Sequence, residues 1–137
     1  MPRTDGYRSY IDVDRIVTEN DKLVSTGSCA ALVQYYTKVG VTSGWVAGEE
    51  VLGSKIIKRG TAIATFVNGD YPNLPSGNHA ALFVEQNDTS ITVVDQWEAL
   101  QKPHKRVIYK KGKNSDGTFK DPSNNAEAFS IIKLKSN

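Results

Sequence analysis

Thr26-Gly27-Ser28-Cys29-Ala30-Ala31-Leu32-Val33-Gln34-Tyr35-Tyr36 reads as a helix whose opening turn carries the one cysteine of the chain. Gly77-Asn78-His79-Ala80-Ala81-Leu82-Phe83-Val84, running on to Ile91-Thr92-Val93-Val94-Asp95-Gln96-Trp97, reads as a β-hairpin. Thr26 or Ser28 can cap the helix by accepting a hydrogen bond from a free backbone N–H. Cys29 then stands at the positive end of the macrodipole, a position that lowers a thiol pKa and raises the thiolate fraction. Cys29, Leu32, Val33 and Tyr36 are spaced i, i+3, i+4, i+7, so they share one helix face. The plain alternative for a lone cysteine is a small buried hydrophobe.

His79 sharpens the choice. It follows the turn-forming run Asp70-Tyr71-Pro72-Asn73-Leu74-Pro75-Ser76-Gly77-Asn78 and precedes an apolar strand. A histidine at a strand mouth is placed to act as a base. Asn87-Asp88 is the expected turn centre. A midpoint on Asn87 sets residue 95 across from 79, and a midpoint between Asn87 and Asp88 sets 96 there. Strand neighbours point to opposite faces, so only one of Asp95 and Gln96 can share the face of His79. Asp95 is the better partner, because a carboxylate favours the imidazolium that forms as the thiol ionises. Trp97 shares the Asp95 face and would wall the site. A half-buried strand histidine beside a strand-ending aspartate is the structural alternative.

A cysteine at a helix start, a later histidine at a strand start and a polar residue one strand on is the layout of a papain-like thiol hydrolase. Several runs carry a closer likeness: Gly27-Ser28-Cys29-Ala30-Ala31-Leu32-Val33-Gln34, Gly44-Trp45-Val46-Ala47-Gly48, Gly60-Thr61-Ala62-Ile63-Ala64-Thr65-Phe66, His79-Ala80-Ala81 and Asp95-Gln96-Trp97. In that order they resemble the BPSL0067 family, which belongs with the NlpC/P60 and CHAP cysteine amidases of peptidoglycan. The likeness covers about residues 25 to 110 and lies close to the amidase effectors that bacteria inject through type VI secretion systems.

The resemblance implies Cys29 as nucleophile, His79 as base and Asp95 as third member, with Gln96 a rival for that place. It implies a peptidoglycan substrate, no cofactor and a cognate immunity protein as partner. It further implies a chain made in the bacterial cytoplasm and acting in the periplasm of a target cell. No glutamine of the kind papain uses in its oxyanion hole stands shortly before Cys29. The helix-start N–H groups near Cys29 are therefore the expected donors.

Length and composition set the outer limits. The 137 residues allow one domain, 1–137, with one modest core and a flexible lead-in over residues 1–11. No apolar run approaches a bilayer-spanning length, so no membrane span is expected. Met1 to Tyr10 is polar and lacks the apolar stretch of a signal peptide. A single cysteine rules out an internal disulfide. Together with two histidines it gives too few ligands for a cysteine-based zinc site, so no metal is expected. No phosphate-binding glycine motif or internal repeat is visible.

The pattern along the chain predicts α+β. A short helix is expected over Asp12 to Val17, and the cysteine helix should stop near Lys38-Val39-Gly40. Thr42 to Gly48 reads as a loop whose Trp45 lines a substrate groove or lids the core. Glu49 to Ile57 is ambiguous between strand and helix. Lys58-Arg59-Gly60 is a turn, and Thr61 to Val67 reads as the first core strand. The hairpin over Ala80 to Val94 adds two strands, Arg106 to Tyr109 another, and Ala128 to Leu134 the strand that closes the sheet. Turns are expected at Asn114-Ser115-Asp116-Gly117 and Asp121-Pro122-Ser123-Asn124-Asn125. Helices first and an antiparallel sheet after is an α+β order, with the N-terminal helices packed on the sheet.

Lys102, Lys105, Arg106, Lys110, Lys111 and Lys113 form a basic run without an acid. With Tyr109 the lone aromatic among them, this reads as a lysine-protected sheet edge rather than a nucleic-acid surface. His104, in a Pro-flanked turn, is expected to be exposed and idle. The expected reaction is cleavage of an amide in the peptidoglycan stem peptide or crosslink; acyl transfer would pass through the same intermediate. The expected substrate contacts are Trp45, Gln96 and Trp97. The alternative is a non-catalytic wall-binding or protein-interaction module that uses Trp45, Trp97 and the basic run.

Overall fold

The computed structural model describes residues 7–9, 11–74 and 77–135. Two helices precede six strands: α1 (Val13–Glu19), α2 (Cys29–Tyr36), β1 (Trp45–Glu50), β2 (Ala62–Thr65), β3 (Ala80–Gln86), β4 (Ser90–Asp95), β5 (His104–Tyr109) and β6 (Phe129–Leu134). The strands form one antiparallel sheet in the order β1-β6-β2-β3-β4-β5. The protein is thus α+β.

Strand alternation builds two apolar layers. Ala80, Leu82 and Val84 of β3 join Val94 and Ile132 beneath the helices, where Val13, Ile16, Leu32 and Val33 cover them. Ala81 and Phe83 join Ile63, Ile91, Val93, Ile108, Phe129 and Ile131 on the other face, covered by Val51 and Ala126. The central strands β2 and β3 are buried on both faces, which is why they read as continuous apolar runs. Edge strand β5 is mostly exposed and carries Lys105 and Arg106, as its basic sequence indicates.

Several sequence expectations are corrected. Thr42 to Gly48 is not a loop: Thr42–Gly44 is a 3-10 turn and Trp45 begins β1. Its glycines suggested irregular backbone. Gly48 is instead required by close packing, since a Cβ there would lie 2.7 Å from the Ile131 carbonyl oxygen. Beyond Glu50, the ambiguous segment forms turns rather than a further strand or helix. The expected final strand is present as Phe129–Leu134, and it lies inside the sheet. It inserts between β1 and β2, pairing with both.

Tyr7 and Ser9 of the expected lead-in are hydrogen-bonded to backbone at Ala62 and Gly60. Residues 1–6 and 10, like Pro75 and Ser76 of the expected turn run, lie outside the described residues. The β3–β4 turn is centred one residue later than expected, on Asp88 and Thr89. The Asn87 side chain accepts from the N–H groups of both Thr89 and Ser90 at 2.9 Å, which makes Asn87 the first residue of the turn.

Candidate active site

Ser28 caps α2 by accepting from the Ala31 N–H at 3.1 Å, which settles the choice between Thr26 and Ser28. Cys29 is the first helical residue and is half-buried. The loop before it is held from below. Gln96 is fully buried; its Oε1 accepts from the Val24 N–H at 2.9 Å, and its Nε2 donates to the carbonyls of Val24 at 3.0 Å and Ser28 at 2.8 Å. Gln96 shares the helix-facing side of β4 with Val94. It therefore touches the loop that presents Cys29 and not the imidazole or the open cleft. The expectations of Gln96 as partner of His79 or as a substrate contact are corrected on that ground. Gln96→Ala would leave the buried Val24 N–H unpaired, while the Val24 and Ser28 carbonyls keep the Gly27 and Leu32 N–H groups, and is expected to cost about 2 kcal/mol of stability. Chemical denaturation would measure it.

Asp95 points to the opposite face. The β3–β4 register pairs Leu82 with Val94, and a bulge between Phe83 and Glu85 shifts it relative to the turn. Carried back one residue, this register sets Ala81 across from Asp95. His79 therefore meets Asp95 along the diagonal and not directly opposite as expected. His79 Nε2 lies 2.7 Å from Asp95 Oδ2, and both side chains are buried. An ionised carboxylate only accepts, so Nε2 carries a proton. The other ring nitrogen, Nδ1, is left for the Cys29 thiol, which lines the same cleft and raises the His79 pKa by its proximity.

The electrostatics follow from these contacts. Burial disfavours the Cys29 thiolate. The His79 hydrogen bond and charge, with a hydrogen bond from the Ala80 backbone, outweigh it, so the thiol sits below its ordinary value. Burial likewise opposes the His79 imidazolium, but the bonds to Asp95 and Cys29 raise its pKa to about 9. The lowered thiol and the raised imidazole both favour the thiolate–imidazolium pair. In His79→Ala the burial remains and the two largest opposing contributions vanish, leaving only those of the Ala80 backbone and Tyr71, so the thiol pKa should rise. Iodoacetamide alkylation of Cys29 at pH 7 is then expected to slow by at least about tenfold, the equivalent of one pKa unit. Rates measured against pH in both proteins would check this.

Two flanking groups were not singled out by the sequence. Arg106 was read as one charge in a basic run. Its Nε donates to Asp95 Oδ2 at 2.6 Å, and its guanidinium lies 5.1 Å from the Trp97 ring centroid. Tyr71 was read as part of a turn. Its Oη lies 3.9 Å from Cys29 Sγ, and Asn78 Nδ2 donates to it at 3.2 Å. Register arithmetic would have suggested Arg106, because β5 pairs Arg106 with Val93, which shares the Asp95 face. No sequence signal distinguished Tyr71.

A cleft of about 430 Å³ opens over the thiol. Ser28, Cys29, Tyr71, Asn78, His79 and Trp97 are among the residues that line it. Trp97 is partly exposed, with its ring 6.0 Å from that of His79. Trp45 is not in the cleft. It is fully buried, its Nε1 donates to the carbonyls of Val39 and Gly40, and its ring packs on Tyr71 at 4.9 Å between centroids. The groove reading for Trp45 is thereby corrected: an indole with both a polar partner and an aromatic neighbour inside the core belongs to the core. The contact surface of the non-catalytic alternative loses the same residue. His104 is an exposed first residue of β5, its Nδ1 2.8 Å from the Lys102 carbonyl oxygen. Among the described residues, no helix is long and apolar enough to cross a membrane.

Comparison with known proteins agrees with this architecture. Residues 8–132 match the family model "Domesticated amidase effector 2", Dae2. The chain is 42% identical over 124 residues to the "Type VI secretion amidase effector 2 protein" of Salmonella typhi, an alignment covering 86% of this chain and 93% of the relative. The solved structure of "Type 6 secretion amidase effector 2 (Tae2)" superposes with a TM-score of 0.81 at 41% identity, over 94% of this chain and 96% of that one. The chain belongs to the domesticated amidase effector 2 family.

Proposed function

We propose that this protein is a peptidoglycan amidase that works as a cysteine hydrolase of the papain-like NlpC/P60 and CHAP type, the group to which the BPSL0067 family belongs. The observation that carries the reading is the set in the cleft, with Cys29 at a helix start beside His79 and His79 held by Asp95. The substrate class rests on the relatives, which are named amidase effectors. In the reaction, the Cys29 thiolate adds to an amide carbonyl of the stem peptide or its crosslink. His79 protonates the departing amine, leaving a thioester. Water, deprotonated by His79, then attacks the thioester and restores the thiol. Asp95 fixes the ring orientation and stabilises the imidazolium.

As an effector of type VI secretion, the chain would act in the periplasm of a target cell, where a producing population needs an immunity protein against it. The direct test is digestion of purified sacculi, with the released fragments separated and their new amino groups counted. Fragment release that iodoacetamide pretreatment abolishes supports the reading. No release, or release indifferent to thiol alkylation, would overturn it. For the compartment, lysis of a bacterium should require an added signal peptide on the expressed chain, and equal effects with and without it would contradict the periplasmic site.

A further inference from the structure

Addition of the thiolate puts negative charge on the carbonyl oxygen, and Tyr71 and Asn78 set a hydroxyl and an amide in the cleft beside the sulfur. The Tyr71 ring is fixed by Trp45 at 4.9 Å and Phe66 at 6.3 Å between centroids. Its oxygen lies 3.9 Å from Cys29 Sγ. A hydroxyl has one hydrogen to give. Asn78 does not consume it, because Asn78 Nδ2 is itself the donor to Tyr71 Oη at 3.2 Å. The direction of the Asn78 amide is set by the Leu74 N–H, which donates to Asn78 Oδ1 at 2.5 Å. The Tyr71 hydrogen is thereby left for the sulfur and the cleft. Burial, and then the Cys29 charge, hold the phenol above its ordinary pKa, so it stays a donor.

We propose that Tyr71 is a catalytic residue that donates a hydrogen bond to the oxyanion formed at the amide carbonyl, and that Asn78 is the positioning residue that aims it. The inference rests on Cys29 being the nucleophile of the proposed reaction. A reacting carbonyl has to sit about 3 Å from both nucleophile and donor, and with Tyr71 Oη 3.9 Å from Cys29 Sγ a group on the cleft side of their line can meet both distances. As the S–C bond forms, the carbonyl π pair moves onto oxygen and Tyr71 shares its hydrogen without releasing it. As the pair returns, the C–N bond breaks and the amine leaves with a proton from His79.

Tyr71→Phe keeps the ring on Trp45 and removes only the oxygen. Its kcat on sacculi is expected to fall by about 10²- to 10³-fold, with KM unchanged. The pH profile of Cys29 alkylation should hardly move, because Tyr71 is the weakest of the contributions that lower the thiol pKa. Asn78→Asp keeps an acceptor for Leu74, puts a second acceptor where the donor was, and turns the Tyr71 hydrogen away from the cleft. It should lose about as much, and the double variant little more. Activity near wild type in Tyr71→Phe or Asn78→Asp, a rise in KM alone, or an alkylation profile that moves as far as kcat would each overturn the proposal.

An aldehyde probe separates this outcome from failure of the proposed reaction. N-acetylglycinal adds reversibly to a thiolate and places an oxygen where the oxyanion would stand. It should protect Cys29 from iodoacetamide at least about tenfold less well in Tyr71→Phe than in wild type. Even if wild type releases nothing from sacculi, weaker protection supports the Tyr71 role and equal protection overturns it.

Discussion

Cys29→Ala is expected to abolish amide hydrolysis, with a fall in kcat of about 10⁶-fold, the scale seen when a hydrolase loses its nucleophile. Without the sulfur, neither covalent intermediate nor leaving-group exchange is available, and His79 has no proton to take. Little else should change. Alanine is the best helix former and keeps α2 intact beneath the Ser28 cap. The Gln96 bonds that hold the preceding loop run to backbone atoms and do not involve the sulfur. Thermal melts should therefore overlay those of wild type while sacculi remain undigested. Residual activity within tenfold of wild type in a folded Cys29→Ala protein would end the cysteine mechanism.

The second large effect is expected at Asp95→Asn, where kcat should fall by about 10⁴-fold, as when a triad aspartate is made neutral. Asp95 Oδ2 receives hydrogen bonds from both His79 Nε2 and Arg106 Nε. An asparagine oxygen in that place could still accept both, so the geometry is preserved while the charge is lost. His79 then loses its main support for the imidazolium and faces its burial and the Arg106 charge uncompensated. Its pKa should drop from about 9, and the alkaline limb of the activity profile should move to lower pH with it. NMR titration of the His79 ring would read the shift directly. An unchanged imidazole titration, or activity near wild type, would remove Asp95 from the mechanism.

How far the sequence spoke depended on whether a residue's neighbours are local. Cys29 at its helix start was legible because the cap and the helical spacing lie within a few residues. The approach of Asp95 to His79 was legible because a hairpin joins them, although a bulge and a one-residue error in the turn changed the pairing from opposite to diagonal. Gln96 could be excluded from the His79 face once Asp95 occupied it. Nothing nearby in sequence revealed that it reaches Val24 and Ser28, because that contact depends on how α2 docks across the sheet. Trp45 was misread because Gly44 and Gly48 resemble loop punctuation, whereas Gly48 marks a strand pressed against the backbone at Ile131. Arg106 and Tyr71 arrive from β5 and from the loop after β2, and their roles exist only in three dimensions.

The placement of β6 between β1 and β2 has a consequence for the timing of synthesis. A ribosome delivers β1 and β2 early, yet the strand that joins them is Phe129–Leu134. Until those residues emerge, Trp45 has no Leu134 to pair with, and Tyr71 lacks the indole on which it rests. Such distant pairings are slow to form and fold late. A nascent chain halted before Phe129 would hold Cys29, His79 and Asp95 in covalent sequence without a finished cleft around them. Ribosome-bound fragments of increasing length should therefore acquire fast Cys29 alkylation in a single late step, once β6 has cleared the exit tunnel.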